Sequence, residues 1–339
     1  GKPKGVRTAH RAAASRCQWM WETFPIGASE VGVAKTPVCF VDHVWETFGL
    51  LGAGAPLCDF PHSRRGDVGL LLAALEECRV TRLVLTPTLA RHLLDEMPRR
   101  LGHGCFPETM RQVTLSGEPL PVPLLREVIE ALPPGHDCAV LNLYGSTEVA
   151  ADVTCEVWLR DEHVGPGSVP AWPADAPKGT SLVAPLGRPV PGCEVRVLDP
   201  DTLKPVRHGV RGELVVLGAH LAEGYMHPEE PGAAGRFLAL PEKGERAFRT
   251  GDFGHRDVDG TLWYSGREDD MVKVRGERVE PQEAQLALEA LLRGSTATLD
   301  SGRSSSAARS AARSEGAADE LAAAARAALA EAVPGARIR

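Results

Sequence analysis

This sequence lacks the cysteine spacings that mark a metal site. Its eight cysteines, at 17, 39, 58, 78, 105, 138, 155 and 193, are scattered with no C-x₂-C pair, so neither a zinc centre nor a small disulfide scaffold is indicated, and the reduced thiols of a cytoplasmic protein are expected. The 11 histidines contain no i, i+4 pair, which removes the helical metal-site pattern as well. Positive charge is in the minority. With 38 Lys and Arg against 45 Asp and Glu, the net charge is −7, so neither nucleic acid nor an anionic membrane is expected as the main partner. No apolar run approaches the roughly 18 residues of a spanning helix, and the first residues carry no apolar signal core. What remains is ordinary for a soluble globular chain: 339 residues, 43% hydrophobic and 24% charged, enough for two or more domains around a large core.

Chemistry-bearing residues concentrate in Leu143-Tyr144-Gly145-Ser146-Thr147-Glu148. An aromatic ring can stack on a purine, glycine lets backbone approach a phosphate, two hydroxyls can bond phosphate oxygens, and a carboxylate can hold Mg²⁺. Four further segments accompany it in order: a Gly/Lys loop at 1–6 containing Lys4, a strand opened by Gly212-Glu213-Leu214 and ending at Gly218, Arg249-Thr250-Gly251-Asp252, and the run 266–276 containing Arg267, Asp269, Lys273 and Gly276.

Between residues 66 and 145, helical apolar patterns (Val68, Leu71, Leu72, Leu75; then Ala90, Leu93, Leu94) alternate with short apolar strands at 82–85, 113–115 and 140–143. That alternation predicts βαβ units on a parallel sheet. Ligands gather at the carboxyl ends of such strands, where Ser116-Gly117-Glu118 and a loop beginning at Tyr144 both fall. Residues 183–266 switch to short strands with turns at Pro191-Gly192, His208-Gly209 and Asp259-Gly260, a β-rich subdomain. After about Leu292 the composition turns to Ser, Ala, Arg and Gly. Residues 293–318 are therefore expected to be disordered, and 319–339 to hold an Ala-rich helix stopped by Pro334-Gly335.

The five segments, in this order and spacing over residues 1–292, resemble the adenylate-forming superfamily, and within it the amino-acid adenylation domains of nonribosomal peptide synthetases. The resemblance implies an α/β adenylation core over 1–266, a hinge and the start of an α+β C-terminal subdomain over 267–292, and a remnant of that subdomain at 319–339. It also implies truncation at both ends, because the family places a Ser/Thr/Gly run before the Gly/Lys loop and a catalytic lysine after the last segment. Slow adenylate formation is expected of such a fragment.

The chemistry implied is ATP-dependent activation of a carboxylic acid, followed by transfer to a phosphopantetheine thiol on a carrier domain. Its demand is electrostatic, since a carboxylate must approach an already negative α-phosphate. By resemblance, Tyr144 stacks the adenine, Asn142 bonds its edge, Gly117, Glu118, Gly145 and Ser146 line the nucleotide, and Thr147 contacts the α-phosphate. Glu148 holds Mg²⁺, Lys4 belongs to the phosphate loop, Asp252 accepts the ribose hydroxyls and Arg267 adds a ribose contact. Asp269 is the implied hinge, with Lys273 and Gly276 on the face that turns to the active site for thiolation.

The acid pocket is implied in the same way. Its lining would be Val41, Asp42, Trp45, Val84, Thr114, Ser116, Leu143, Ala151 and Asp152, which resembles the pattern of β-alanine-activating domains (Val-Asp-Trp-Val-Ile-Ser-Leu-Ala-Asp) except at Thr114. Enzymes for α-amino acids usually carry Asp directly after the Phe at position 40, whereas here it comes one residue later. That shift, with Asp42 and Asp152 flanking the substrate ammonium, suits β-alanine. Two other readings stand beside this one: an acyl- or aryl-CoA synthetase, which shares the ATP motifs but needs no pocket acids, and a non-catalytic remnant.

Overall fold

A computed structural model describes residues 4–134, 138–160, 183–229, 232–241 and 244–267, together with the backbone of two short strands at 272–274 and 277–279. The chain divides into two compact units, Lys2–Glu268 and Asp269–Arg339, which are taken separately. In chain order the first unit contains β1 (Val6–Arg7), α1 (His10–Thr23), β2 (Gly32–Ala34), a π-turn (Trp45–Gly49) running into α2 (Leu50–Gly52), β3 (Leu57–Asp59), α3 (Val68–Glu77), β4 (Arg82–Leu85), α4 (Pro87–Arg100), β5 (Gln112–Leu115) and α5 (Val122–Ala131). It continues with β6 (Ala139–Ser146), β7 (Ala151–Leu159), β8 (Arg188–Pro189), β9 (Cys193–Leu198), β10 (Gly212–Gly218), β11 (Gly224–Tyr225), β12 (Phe237–Ala239), β13 (Arg246–Arg256) and β14 (Leu262–Arg267).

The predicted helices have the local signals they need. Asp67 caps α3 by accepting from the Leu70 N–H, and Thr86 caps α4 by accepting from Leu89, with Pro87 at the first helical position where its missing N–H costs nothing. A seven-stranded sheet runs β3-β2-β4-β5-β6-β7-β8, parallel from β3 to β6 and antiparallel beyond. Strand alternation sorts its side chains. Leu83, Leu85, Val113, Leu115 and Val140 pack with Leu71, Leu72, Leu93, Met97 and Leu125 of α3, α4 and α5. In a second cluster Leu141 and Leu143 pack with Trp19 and Met20 of α1 and with Trp45 of the π-turn, so this face lies under α1 rather than under the crossover helices. Each fully buried large side chain contributes roughly 1.5–3 kcal/mol.

Two expectations are corrected. The strand expected at 140–143 continues to Ser146, because β7 turns back antiparallel and extends the ladder, with a register shift between Tyr144 and Gly145. The segment expected as a loop from Tyr144 is thus largely strand, and the expected parallel layers, present from β3 to β6, are extended by the antiparallel β7 and β8. The thiols are not all reduced: Cys58 and Cys78 form a disulfide with Cα atoms 6.0 Å apart. α3 carries its end back beside β3, a proximity that no cysteine spacing reveals.

The β-rich subdomain is a five-stranded sheet ordered β12-β13-β10-β9, with β14 paired to β13. β1 pairs separately with β11. In the second unit only an antiparallel pair is described, β15 (Val272–Val274) with β16 (Glu277–Val279), where Lys273 stands opposite Arg278. Asp269, Gly276, the stretch expected to be disordered and the Ala-rich helix lie outside the described residues. Among the described residues no helix is long and apolar enough to cross a membrane.

Candidate functional site

β6 carries the site on both of its faces. Leu143 packs with Trp45 and α1, while Tyr144, one residue on, packs against a cluster that joins Val149 to Leu214 and Leu262 of the β-rich subdomain. The Tyr144 hydroxyl donates to Asp252 Oδ2 at 2.7 Å, and Arg267 Nη1 donates to Asp252 Oδ1 at 2.6 Å, across the β13–β14 register that sets Asp252 opposite Arg267. Burial, with the Asp252 charge next, holds the Tyr144 hydroxyl well above its ordinary range, so it stays a neutral donor. A carboxylate offers about four acceptor positions, so Asp252 can still accept a pair of vicinal hydroxyls beside these two partners.

Glu213, whose motif was visible in the sequence without a role, braces this corner. It is buried, takes Arg249 Nε at 2.7 Å on one oxygen and accepts the Gly251 N–H at 3.1 Å on the other, which fixes the turn that presents Asp252.

Glu148 lies buried after β6 and accepts from the Tyr225 hydroxyl at 2.8 Å. Tyr225 is also the β11 partner of Val6, and the Met226 N–H donates to the Gly5 carbonyl, so this short ladder ties the Gly/Lys segment to the strand that holds Glu148. Lys4 itself is exposed; a Cβ on Gly232 would sit 2.8 Å from its Nζ. Thr147 is exposed, and the buried Ser146 Oγ has no hydrogen-bond partner among the described residues. Asn142 is buried and donates its amide to the Pro185 carbonyl at 2.8 Å. Glu118 is held by the Thr88 N–H and hydroxyl at the start of α4, while Gly117 before it takes a positive φ of 89°.

Gly145 was expected to let backbone approach a phosphate. Its smallness serves a nearer neighbour: a Cβ there would overlap the Ala151 carbonyl oxygen across the β6–β7 turn. Ala150 and Ala151 both have positive φ, 55° and 89°, and this tight reversal delivers Asp152 to the opposite face.

That face carries the residues expected to line the acid pocket. Val84 and Thr114 are paired across β4 and β5, and Thr114 with Leu141 across β5 and β6. Thr114 receives Gln112 Nε2 at 3.2 Å, and Gln112 in turn accepts from Arg82, which also pairs with Glu30. A buried polar chain therefore ends at Thr114 and satisfies the hydroxyl that sets this position apart from the β-alanine pattern. Trp45 is buried at the start of the π-turn, where a Cβ on Gly49 would overlap its indole. Val41 and Asp42 are partly buried just before it.

The charges of the pocket differ from expectation. Asp152 was expected to flank an ammonium with Asp42, but its carboxylate is already engaged. Arg16, buried on α1, donates to Asp152 Oδ2 from Nε at 3.0 Å and from Nη2 at 2.5 Å, while Ser116 Oγ donates to Oδ1 at 3.2 Å. The guanidinium carbon stands 4.8 Å from the Trp19 ring centre and 5.6 Å from that of Trp45. Lys35 and Glu46 form a second buried pair at 3.2 Å. Asp42 alone of this set has no side-chain hydrogen bond or ion pair among the described residues, and the π-turn that follows has no side-chain cap. Burial, followed by repulsion from Asp152, raises its carboxyl to about 7, against the opposing pull of Arg16.

Sequence reasoning missed Arg16. α1 was not anticipated, and the available signal was an Arg standing between Ala12 and Met20 at helical i, i+4 spacing on an otherwise apolar stripe.

A mixed α/β sheet, a β-rich second sheet and a nucleotide-like cradle meeting at one strand define an adenylate-forming ligase core. The AMP-binding enzyme family matches residues 1–226. Over 295 residues the chain is 36% identical to the beta-alanyl-bioamine nonribosomal peptide synthetase ebony of Drosophila melanogaster, covering 84% of this chain and 31% of that protein. It is 35% identical to indigoidine synthase of Streptomyces lavendulae, covering 85% and 21%. Among solved structures, the AMPPNP-bound form of the nonribosomal peptide synthetase FmoA3 superposes with a TM-score of 0.64 at 28% identity, covering 79% of this chain and 27% of that one. The chain thus spans less than a third of the length of these relatives. It belongs to the AMP-binding enzyme family, as an adenylate-forming domain of the nonribosomal peptide synthetase type.

Proposed function

We propose that the domain activates β-alanine as an aminoacyl-adenylate, with ATP as co-substrate and pyrophosphate as product, for transfer to a phosphopantetheine thiol on a carrier domain. The observation that carries the substrate is Asp42: an unpaired carboxylate in a pocket whose other charges are matched two by two. One anion without a partner calls for one cation. Its place one residue beyond the usual α-amino-acid position suits an ammonium displaced by a methylene, and Trp45 and Leu143 close the pocket against larger side chains. Size alone discriminates by about 1–3 kcal/mol per methylene, whereas leaving a buried charge unpaired costs about 3–5 kcal/mol. The charge therefore outweighs the shape.

On the other face of β6, Tyr144 would stack the adenine, Asn142 would keep its amide oxygen for the base edge, and Asp252 with Arg267 would take the ribose. The orphaned Ser146 hydroxyl and the exposed Thr147 fit phosphate oxygens, and Lys4 would add its charge to them. The described residues contain no group of three or more potential metal ligands. A lone buried Glu148 is what Mg²⁺ asks of a protein when substrate phosphates and water complete its shell. There the ion would neutralise phosphate charge as the carboxylate approaches.

The test is amino-acid-dependent ATP–pyrophosphate exchange with β-alanine, alanine, acetate and benzoate, alongside calorimetric ATP binding. Preference for β-alanine is expected. Preference for acetate or benzoate would instead favour the CoA-synthetase reading, and ATP binding with no exchange for any acid would favour the remnant.

A further inference from the structure

Arg16 is a cation in a place where a substrate ammonium is meant to go. Its side chain is 3% exposed, it spends two donors on Asp152, and its remaining terminal nitrogen, Nη1, is buried with no partner among the described residues. It is also packed beside Trp19 and Trp45, the second a pocket wall. Buried guanidinium groups are kept where their charge has a task, because an uncompensated one costs several kcal/mol. Here the compensation is Asp152, and the consequence is a charge count. With Asp42 ionised, Asp42, Asp152 and Arg16 sum to −1, while Lys35 with Glu46 adds nothing.

We infer that Arg16 is a specificity-determining residue of the pocket, setting its charge deficit at one by neutralising Asp152, so that the site accepts acids bearing a single ammonium and rejects those bearing two. The inference rests on the amino-acid reading above and adds to it a residue outside the expected lining. The nine lining positions alone carry two acids and no base, a set that would suit a diamino acid equally well. Arg16 removes that ambiguity from 136 residues away. It acts through Asp152 and the two indoles.

The experiment compares mono-ammonium acids (β-alanine, alanine) with a diammonium acid (2,3-diaminopropionate) by pyrophosphate exchange and by calorimetric binding to the chain. Three proteins are used: the parent, Arg16→Met, and Arg16→Met with Asp152→Asn. The parent is expected to prefer a mono-ammonium acid. Arg16→Met is expected to bind that acid at least 10-fold more weakly and to shift the ratio toward the diammonium acid by at least 10-fold. The double variant, with the deficit back at one, is expected to regain most of the parent ratio. A purely structural Arg16 would lower all substrates together and would not be corrected by Asp152→Asn, and that result overturns the inference. An unchanged ratio in a folded Arg16→Met overturns it too, and if Arg16→Met fails to fold, the ratio in the charge-matched double variant decides. A parent that ignores β-alanine but takes another mono-ammonium acid defeats the β-alanine reading alone, with the charge count still measured on that acid. A parent that takes only acetate or benzoate defeats both.

Discussion

The two faces of β6 solve opposite problems. On the face proposed for the nucleotide the groups are donors and acceptors, Asp252 bonded from both sides, Thr147 exposed and the buried Ser146 hydroxyl without a partner among the described residues. On the acid face, charges are buried and cancelled in pairs until one carboxylate is left over. The first is a surface made for a ligand rich in polar atoms. The second selects by subtraction, since each buried pair removes a possible binding mode. On the proposed reading, recognition of a common co-substrate rests on many modest contacts, while choice among similar acids rests on one unmatched charge.

Five experiments probe that division, from the largest expected effect to the smallest. Asp42→Asn keeps shape and removes the odd charge; it should lower β-alanine-dependent exchange by about 10²–10³-fold, the equivalent of roughly 3–5 kcal/mol, while calorimetric ATP affinity stays near the parent's. An equal loss of both affinities would erase the division. Asp252→Asn should do the converse, weakening ATP by on the order of 10- to 100-fold, as expected for losing charge-assisted bonds, with the preference between β-alanine and alanine intact.

Gly145→Ala sits on the boundary. Its methyl must displace the Ala151 carbonyl, at a cost of about 1–3 kcal/mol, so thermal stability should fall and both affinities should drop together. A variant as stable as the parent would show that the turn is slack.

The fourth experiment is pH. Asp42 must be ionised to pair with an ammonium, and with its carboxyl near 7 only about a tenth is ionised at pH 6, so kcat/KM for β-alanine should fall roughly tenfold from pH 8 to pH 6. For stability the sign is opposite. A carboxyl raised from its unfolded value of 3.8 contributes stability that is present below about pH 4 and lost as pH rises through about 7, so β-alanine should raise Tm more at pH 8 than at pH 6. Equal Tm shifts at the two values would separate Asp42 from the ammonium. Last, Thr114→Ile should change β-alanine KM by less than about fivefold, because its loss falls on Gln112, which keeps Arg82 as a partner.

How much of this could be read from the sequence follows the same line. The residues proposed for the nucleotide lie inside contiguous motifs, so the resemblance could assign Tyr144, Glu148, Asp252 and Arg267 their implied roles, and the helices α3 and α4 announced themselves through apolar periodicity. The acid face could be aligned position by position, yet its electrostatics could not be read, because Arg16 meets Asp152 only after α1 is laid on the sheet. The extension of β6 to Ser146 was hidden for a related reason. Gly and Ser lower strand propensity locally, and the antiparallel partner that overrides them, β7, holds residues expected to be pocket lining after a loop. The Cys58–Cys78 pair likewise depends on where α3 ends in space.

The period-two alternation of β6 also governs how such a domain can change over generations. On the proposed reading, substituting Leu143 alters what the acid meets and leaves Tyr144 untouched, so preference for one acid can drift by single replacements while use of ATP is conserved. An insertion or deletion of one residue within β6 before Leu143 would exchange the two sets of side chains across the sheet and disable both at once. Lineages of this fold should therefore vary at positions such as Leu143 while keeping Tyr144, Gly145 and the length of the strand.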